Sequence, residues 1–327
     1  MGNTSKYTLA SFFTGVGGID LGFEQTGKCE TIYANEFDPY PAKTFELNHT
    51  IKIDPQDITN INSDEIPDFD ICLAGFPCQA FSIAGYRKGF EDEKGRGNLF
   101  FELARIIRDK KPQAIFLENV KNLEAHDKGN TLKIILETLT SHGYHTKYKV
   151  LNAMHYGNIP QNRERIYIVG FLNEHAYNNF VFPEPIPLTT PLDNIIDFHT
   201  KVDEKYYYTP GKYKGPIYEK LNEAMDDPRA VYQWRRHYAR KNKSGVIPTL
   251  TANQGTGGHN VSLIRADHGI RKMTPRECFN AQGFPTDFIL PDEAADSRLY
   301  KQAGNSVCVP VIKRIAENMV IALESTQ

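Results

Sequence analysis

Apolar positions over the first 170 residues fall into two textures. Short runs at 8–13, 31–34, 71–74, 114–117 and 166–171 read as strands, those at 71–74 and 114–117 as buried ones. The stretches at 39–48, 99–110 and 131–141 instead repeat apolar residues at helical spacing, and another helix follows a glycine turn and ends near residue 25. Gly27, Pro112 and Gly143 stand just beyond three of these helices, where chain-breaking residues belong. A strand at 144–152 completes the series. Strands that alternate with helices predict an α/β fold, a Rossmann-like domain with a mostly parallel, twisted sheet.

The texture changes after Gly170. The Pro-rich 182–191, FPEPIPLTTP, reads as a boundary, and the following residues carry many Tyr, Gly and basic residues but few long apolar periods. They predict a smaller, irregular, β-rich domain. Order returns with a helix at 274–282, capped by Thr274 with Pro275 at its first position. A last helix, 310–324, carries an apolar stripe of Val311, Ile315, Met319 and Leu323, suited to packing back on the first domain. The expected division is a catalytic and cofactor-binding domain at 1–184, a recognition domain at 185–272, a hinge and supporting helix at 273–299, and a returning segment at 300–327.

Composition narrows the classes. Apolar residues make up 40% and charged residues 24% of the 327, as in a globular protein, and a net charge of −2 announces no polyanion partner. Any nucleic-acid site must therefore come from local clustering. The five cysteines are odd in number and none pair at C-x-x-C spacing, so neither a metal site nor a disulfide framework is expected, and a reducing cytosol fits. The N-terminal residues lack the pattern of a signal peptide, and Lys6 stands where a myristoylation motif wants Ser or Thr. No stretch approaches the ~20 apolar residues of a membrane span.

The first candidate chemistry is Phe13-Thr14-Gly15-Val16-Gly17-Gly18, a glycine turn between a strand and a helix, where a charged cofactor end can meet bare backbone N–H groups. Asp20 stands where the last glycine of a dinucleotide fingerprint belongs. Glu36, at the end of the second strand, is spaced to accept from ribose hydroxyls, and Asp57 from an adenine amino group. These residues outline a nucleoside cofactor but do not separate S-adenosylmethionine from NAD.

Gly75-Phe76-Pro77-Cys78-Gln79 places a thiol in the turn after a buried strand. With Glu118-Asn119-Val120, Gln161-Asn162-Arg163-Glu164-Arg165, Arg276-Glu277-Cys278, Gln282-Gly283-Phe284-Pro285 and Gly304-Asn305-Ser306-Val307 following in order, the chain resembles the cytosine-5 DNA methyltransferase family outside about 185–265. Thr14 stands where many members carry Ala or Ser, and Gln56 where Gly is common.

The resemblance implies S-adenosylmethionine as donor and S-adenosylhomocysteine as product, with no metal. It implies a cofactor site of Phe13, Gly15, Val16, Gly17, Gly18, Glu36, Phe37, Asp57, Ile58, Pro77, Asn305 and Ser306. Cys78 is the implied nucleophile toward cytosine C6, and Glu118 the partner of N3, where it would have to carry a proton. Arg163 is expected to hold the cytosine O2, and Arg165 to brace Glu118. The target carbon lies inside stacked duplex DNA, so the base must be flipped out. The charged, Gly-rich 79–98 suits a lid, with Gln79, Ser82, Arg87 and Lys88 reaching the duplex. Recognition is expected from the basic run with Arg235, Arg236 and Arg240, and from Thr249, Thr251, Asn253, Gln254 and Gly257.

Compact size suggests a monomer from the modification half of a bacterial restriction system, acting on double-stranded DNA in the cytoplasm beside a cognate restriction endonuclease. The rivals are a transfer-RNA cytosine methyltransferase, against which the variable segment of roughly 80 residues and its basic run weigh, and a nicotinamide-dependent oxidoreductase, which leaves Pro77-Cys78-Gln79 unexplained.

Overall fold

The computed structural model describes residues 6–77, 99–213, 215–235, 237–254 and 260–326. In chain order its strands are β1 (Tyr7–Phe12), β2 (Cys29–Asn35), β3 (Ile53–Asp54), β4 (Ile71–Ala74), β5 (Ala114–Val120), β6 (His145–Asn152), β7 (Gln161–Asn162), β8 (Glu164–Phe171), β9 (Tyr232–Arg235), β10 (Tyr238–Lys241), β11 (Ile247–Pro248), β12 (Ser262–Ala266) and β13 (Gly269–Lys272). The principal helices are α1 (Gly18–Glu24), α2 (Pro39–Glu46), α3 (Leu99–Lys110), α4 (Asn130–Ser141), α5 (Ile217–Ala224), α6 (Pro275–Asn280), α7 (Asp296–Asn305) and α8 (Val309–Glu324). Contacts divide the chain into two compact units. One comprises Met1–Leu151, Glu164–Pro183 and Ile312–Gln327, the other Asn152–Arg163 and Glu184–Val311.

The first unit is built on a seven-stranded sheet in the order β3-β2-β1-β4-β5-β8-β6. The β3-β2-β1-β4-β5 run is parallel, and β8 enters antiparallel to β5. The Rossmann-like reading holds, with one reversed strand that no local pattern announced. All four residues of β4 and the first six of β5 are buried, which is why they read as unbroken apolar runs. Helix α3 turns Phe100, Leu103, Ala104, Ile106 and Ile107 inward at helical spacing, and with Leu132, Ile135 and Leu139 of α4 these residues join the core of the sheet. Strand β1 stops at Phe12, because Phe13 takes φ 52°, outside the extended region.

The second unit is more regular than its composition suggests. Strands β10-β9-β12-β13 form a four-stranded antiparallel sheet, and Tyr232, Leu263 and Ile270 from it pack with Leu221 and Met225 around α5. Helix α6 starts at a capping box in which Thr274 and Glu277 satisfy each other's backbone. The same Glu277 carboxylate takes both arms of the buried Arg271 guanidinium, at 2.7 and 2.8 Å. Helix α7 carried no apolar signal in the sequence. Its DSRLYKQAGN stretch buries Leu299, Tyr300, Gln302, Ala303 and Gly304, a face made partly of small and polar residues. Among the described residues no helix is long and apolar enough to cross a membrane.

Candidate active site

The glycine turn joins β1 to α1 between two neighbouring strands. Phe13, Gly15 and Gly17 take φ of 52°, 61° and 82°, so the turn alternates left-handed residues with ordinary ones. The next strand holds it. Thr14 N donates to Asn35 O at 3.1 Å, and Gly15 N donates to Glu36 Oε2 at 2.9 Å. The other oxygen of Glu36 accepts from Asp38 N at 2.8 Å. Phe37, beside it, is 68% exposed. One strand further on, Asp57 caps a short turn through Thr59 N at 3.0 Å, ahead of the buried Ile58. The turn, Glu36 and Asp57 thus follow the carboxyl ends of three adjacent parallel strands, where α/β sheets bind ligands. Open space lies above Gly15, since a Cβ there would meet nothing within 4 Å. Asn305 and Ser306 belong to the second unit.

Strand β4 leads into Gly75, Phe76 and Pro77. Cys78 follows, and it lies outside the described residues, as do Gln79, Ser82, Arg87 and Lys88. The neighbouring strand β5 runs on past that level, since Ala74 pairs with Leu117 and β5 ends at Val120. Glu118 is buried there, and a Cβ on Gly75 would stand 3.7 Å from its Oε2. Asn119 Nδ2 donates to Phe76 O at 2.9 Å and so ties the turn before Cys78 to the strand bearing Glu118. Sequence reasoning gave Asn119 no role; its place next to Glu118 was the available signal. The antiparallel register sets Val120 opposite Arg165, whose Nε lies 3.1 Å from Glu118 Oε1. The other four cysteines are buried free thiols, and burial pushes Cys29 up to about 11 and Cys308 up to about 12, away from the thiolate form.

Arg163 has a different setting. It is 2% exposed, and its guanidinium donates to Leu250 O at 2.9 Å, to Gly304 O at 3.1 Å and to Ser306 O. All these partners lie in the second unit. Arg165, not Arg163, is the arginine beside Glu118. Leu250 N donates to Gln161 Oε1 at 3.2 Å, and Thr249 Oγ1 to Asn162 O at 2.6 Å. Strand β11 pairs with β7 in the same place.

Of the expected DNA-facing residues, Arg235 and Arg240 lie on β9 and β10, and Arg235 Nη2 donates to Gln233 Oε1 at 3.2 Å. Thr251 donates to Asn253, which is exposed. Gln254 is different, being 3% exposed with its amide 3.6 Å from Cys278 Sγ, an interior position. Arg236 and Gly257 lie outside the described residues.

Comparison with known proteins agrees with this layout. The model of the C-5 cytosine-specific DNA methylase family matches residues 7–320. Type II methyltransferase M.Bsp6I of Bacillus sp. (strain RFL6) is 62% identical over 311 residues, covering 95% of this chain and 98% of that protein. Type II methyltransferase M.HhaI of Haemophilus parahaemolyticus is 40% identical over 320 residues, 94% of this chain and 92% of its own length. The structure of the Entamoeba histolytica methyltransferase EhMeth superposes with a TM-score of 0.73 over 98% of this chain and 99% of that one, and at 18% identity the likeness is one of fold. The chain belongs to the C-5 cytosine-specific DNA methylase family.

Proposed function

We propose that this DNA (cytosine-5)-methyltransferase acts through Cys78, with Glu118 and Arg165 holding the target base. The observation that carries the reading is the tie from Asn119 Nδ2 to Phe76 O, which keeps the turn entering Cys78 beside the carboxylate of Glu118.

Cytosine C5 is a weak nucleophile while the ring is aromatic. Addition of the Cys78 thiolate forms an Sγ–C6 bond and leaves C5 enamine-like. Glu118, carrying a proton, donates to N3 and relieves the charge that moves onto the ring. The Arg165 guanidinium fixes the carboxyl and offers a second donor edge to the O2 side of the base. The role first expected of Arg163 passes to Arg165 in this reading, because Arg163 is committed to main-chain carbonyls. Release requires loss of the C5 proton to a base and expulsion of the thiolate, which restores the aromatic ring.

S-adenosylmethionine, when bound, supplies a methyl group on a sulfonium centre. The residues fit it. Glu36 is placed for a ribose diol, the exposed Phe37 ring for an adenine face, and the open side of Gly15 for close backbone approach. Asp57, Ile58 and Pro77 complete the proposed set within the first unit. In the second unit, Arg235, Arg240, Thr249, Thr251 and Asn253 are proposed to meet duplex DNA, with 185–272 as recognition domain. The relatives are bacterial proteins named type II methyltransferases, which supports a bacterial enzyme working with a cognate restriction endonuclease; a monomer in the cytoplasm is proposed with it.

The test is expression in a methylation-free host and bisulfite sequencing of its DNA. Methylated cytosines at one short recurrent sequence are expected, and none with Cys78→Ser. Full methylation by that folded variant would remove the covalent step.

A further inference from the structure

Three ionisable side chains meet beneath the glycine turn, Asp20 and the His49 ring out of solvent and Glu24 half-buried. His49 follows α2, stacked on Phe45 with ring centroids 4.1 Å apart and planes 10° apart. Its Nδ1 is 3.3 Å from Glu24 Oε2, and its side chain is 4% exposed. Asp20 is fully buried and accepts from Ser11 Oγ at 3.0 Å and Thr31 Oγ1 at 3.3 Å. Both acids sit on α1, whose N-cap is Gly17.

The cluster touches the turn at two points. Thr14 Oγ1 donates to Ser11 Oγ at 3.0 Å, which links the turn to Asp20 through one hydroxyl. On the other side a Cβ on Gly17 would stand 2.3 Å from His49 Nε2, so the absence of a side chain at Gly17 is what admits the ring. That nitrogen has no hydrogen-bond partner among the described residues and is sealed against the turn.

We propose that His49 is a positioning residue for cofactor binding, paired with Glu24 and seated against Gly17 so that it keeps residues 14–17 in the shape the donor requires. The inference rests on the reading of that turn as the cofactor site. Among the described residues the charged groups acting on His49 are Glu24 and Asp20. Burial alone would favour the neutral ring, but the bond to Glu24 and the two carboxylate charges overcome it and raise the pKa above 6.5.

Burial raises Asp20 to about 6, against the pull of His49. Both groups bind their protons more tightly in the folded protein, so each contribution falls as pH rises. Asp20, raised to about 6, is still losing its proton at the low end of the neutral range, and as pH climbs further His49 loses its own, which leaves two acids facing a neutral ring. The turn should therefore loosen, and cofactor affinity fall, as pH climbs through the raised value of His49.

The test is calorimetric titration of the full chain with S-adenosylhomocysteine from about pH 6.5 to about pH 9, for wild type, His49→Phe and Glu24→Gln. The wild-type Kd is expected to rise by about threefold or more across the range. His49→Phe keeps the stack on Phe45 and should bind several-fold more weakly at the low end, with no slope beyond the tail of the Asp20 titration. Glu24→Gln leaves the ring in place, should flatten the slope likewise, and carries the test alone should His49→Phe not fold. In turnover the loss falls on KM for the methyl donor rather than on kcat. The melting temperature of the ligand-free wild type should drop over the same range more than that of either variant. A flat wild-type profile, or variants that keep the wild-type slope, would overturn the role of His49 while leaving the cofactor site intact. Failure of wild type to bind at any pH would instead overturn the cofactor site, and the inference with it.

Discussion

Gly304→Ala sets two physical effects of opposite sign against each other. Gly304 is the penultimate residue of α7, and in a free helix the change to alanine stabilises by about 1 kcal/mol, because glycine loses more backbone freedom on folding. The surroundings reverse the sign. A Cβ there would stand 2.2 Å from the carbonyl carbon of Thr251, 2.3 Å from its oxygen and 2.5 Å from Ala252 N. Each obstacle is main chain, which has no rotamer to escape into. The two segments would have to part by about 1 Å, and overpacking of this kind costs about 1–3 kcal/mol.

The same parting pulls on the Arg163 bonds to Leu250 O and Gly304 O, and charged hydrogen bonds are worth about 1.5–3 kcal/mol each. A net destabilisation of about 3 kcal/mol is expected, or a fall in Tm of roughly 6–12 °C. Differential scanning calorimetry measures the shift, and methyl incorporation into DNA should fall with it. A variant that melts at or above the wild-type temperature would refute the steric argument.

Two further substitutions probe the end of the sheet where the catalytic residues are proposed. Arg165→Ala leaves the buried Glu118 without its cation and should cost about 3–5 kcal/mol of stability, together with a loss of methylation of about a hundredfold or more. Arg165→Lys should recover only part, since an ammonium lacks the planar fork; initial rates and thermal melts check both. Asn119→Ala removes the bond to Phe76 O and should cost about 1–2 kcal/mol, with the kinetic loss in kcat rather than in KM for the methyl donor, read from single-turnover and steady-state rates.

Much of this was legible from the chain. Buried parallel strands write themselves as continuous apolar runs, so β4 and β5 stood out, and the proposed site is drawn from the residues after each strand. The two arginines divide: the resemblance implied Arg165 beside Glu118, where it stands, while Arg163, expected on the cytosine, donates to main-chain carbonyls. Arg163 and Arg165 are two apart, and strand periodicity would put them on one face. The strand begins only at Glu164, however, and Arg163 belongs to a different unit. Which arginine meets Glu118 is decided by the β5–β8 register, a long-range pairing with no local signature. Gln254 looked like a polar residue of a binding loop, yet its amide is buried against a thiol. His49 was passed over because its partners lie on another helix, and because the signal is a missing side chain at Gly17.

The grip on Leu250 bears on what position 250 tolerates. Gln161 and Arg163 grasp only its amide and carbonyl, atoms that every residue but proline possesses. The fastening is thus indifferent to which side chains stand nearby. Any residue but proline at position 250 should therefore keep both bonds, and the anchorage is set by the chain's path there and not by the identity of its side chain.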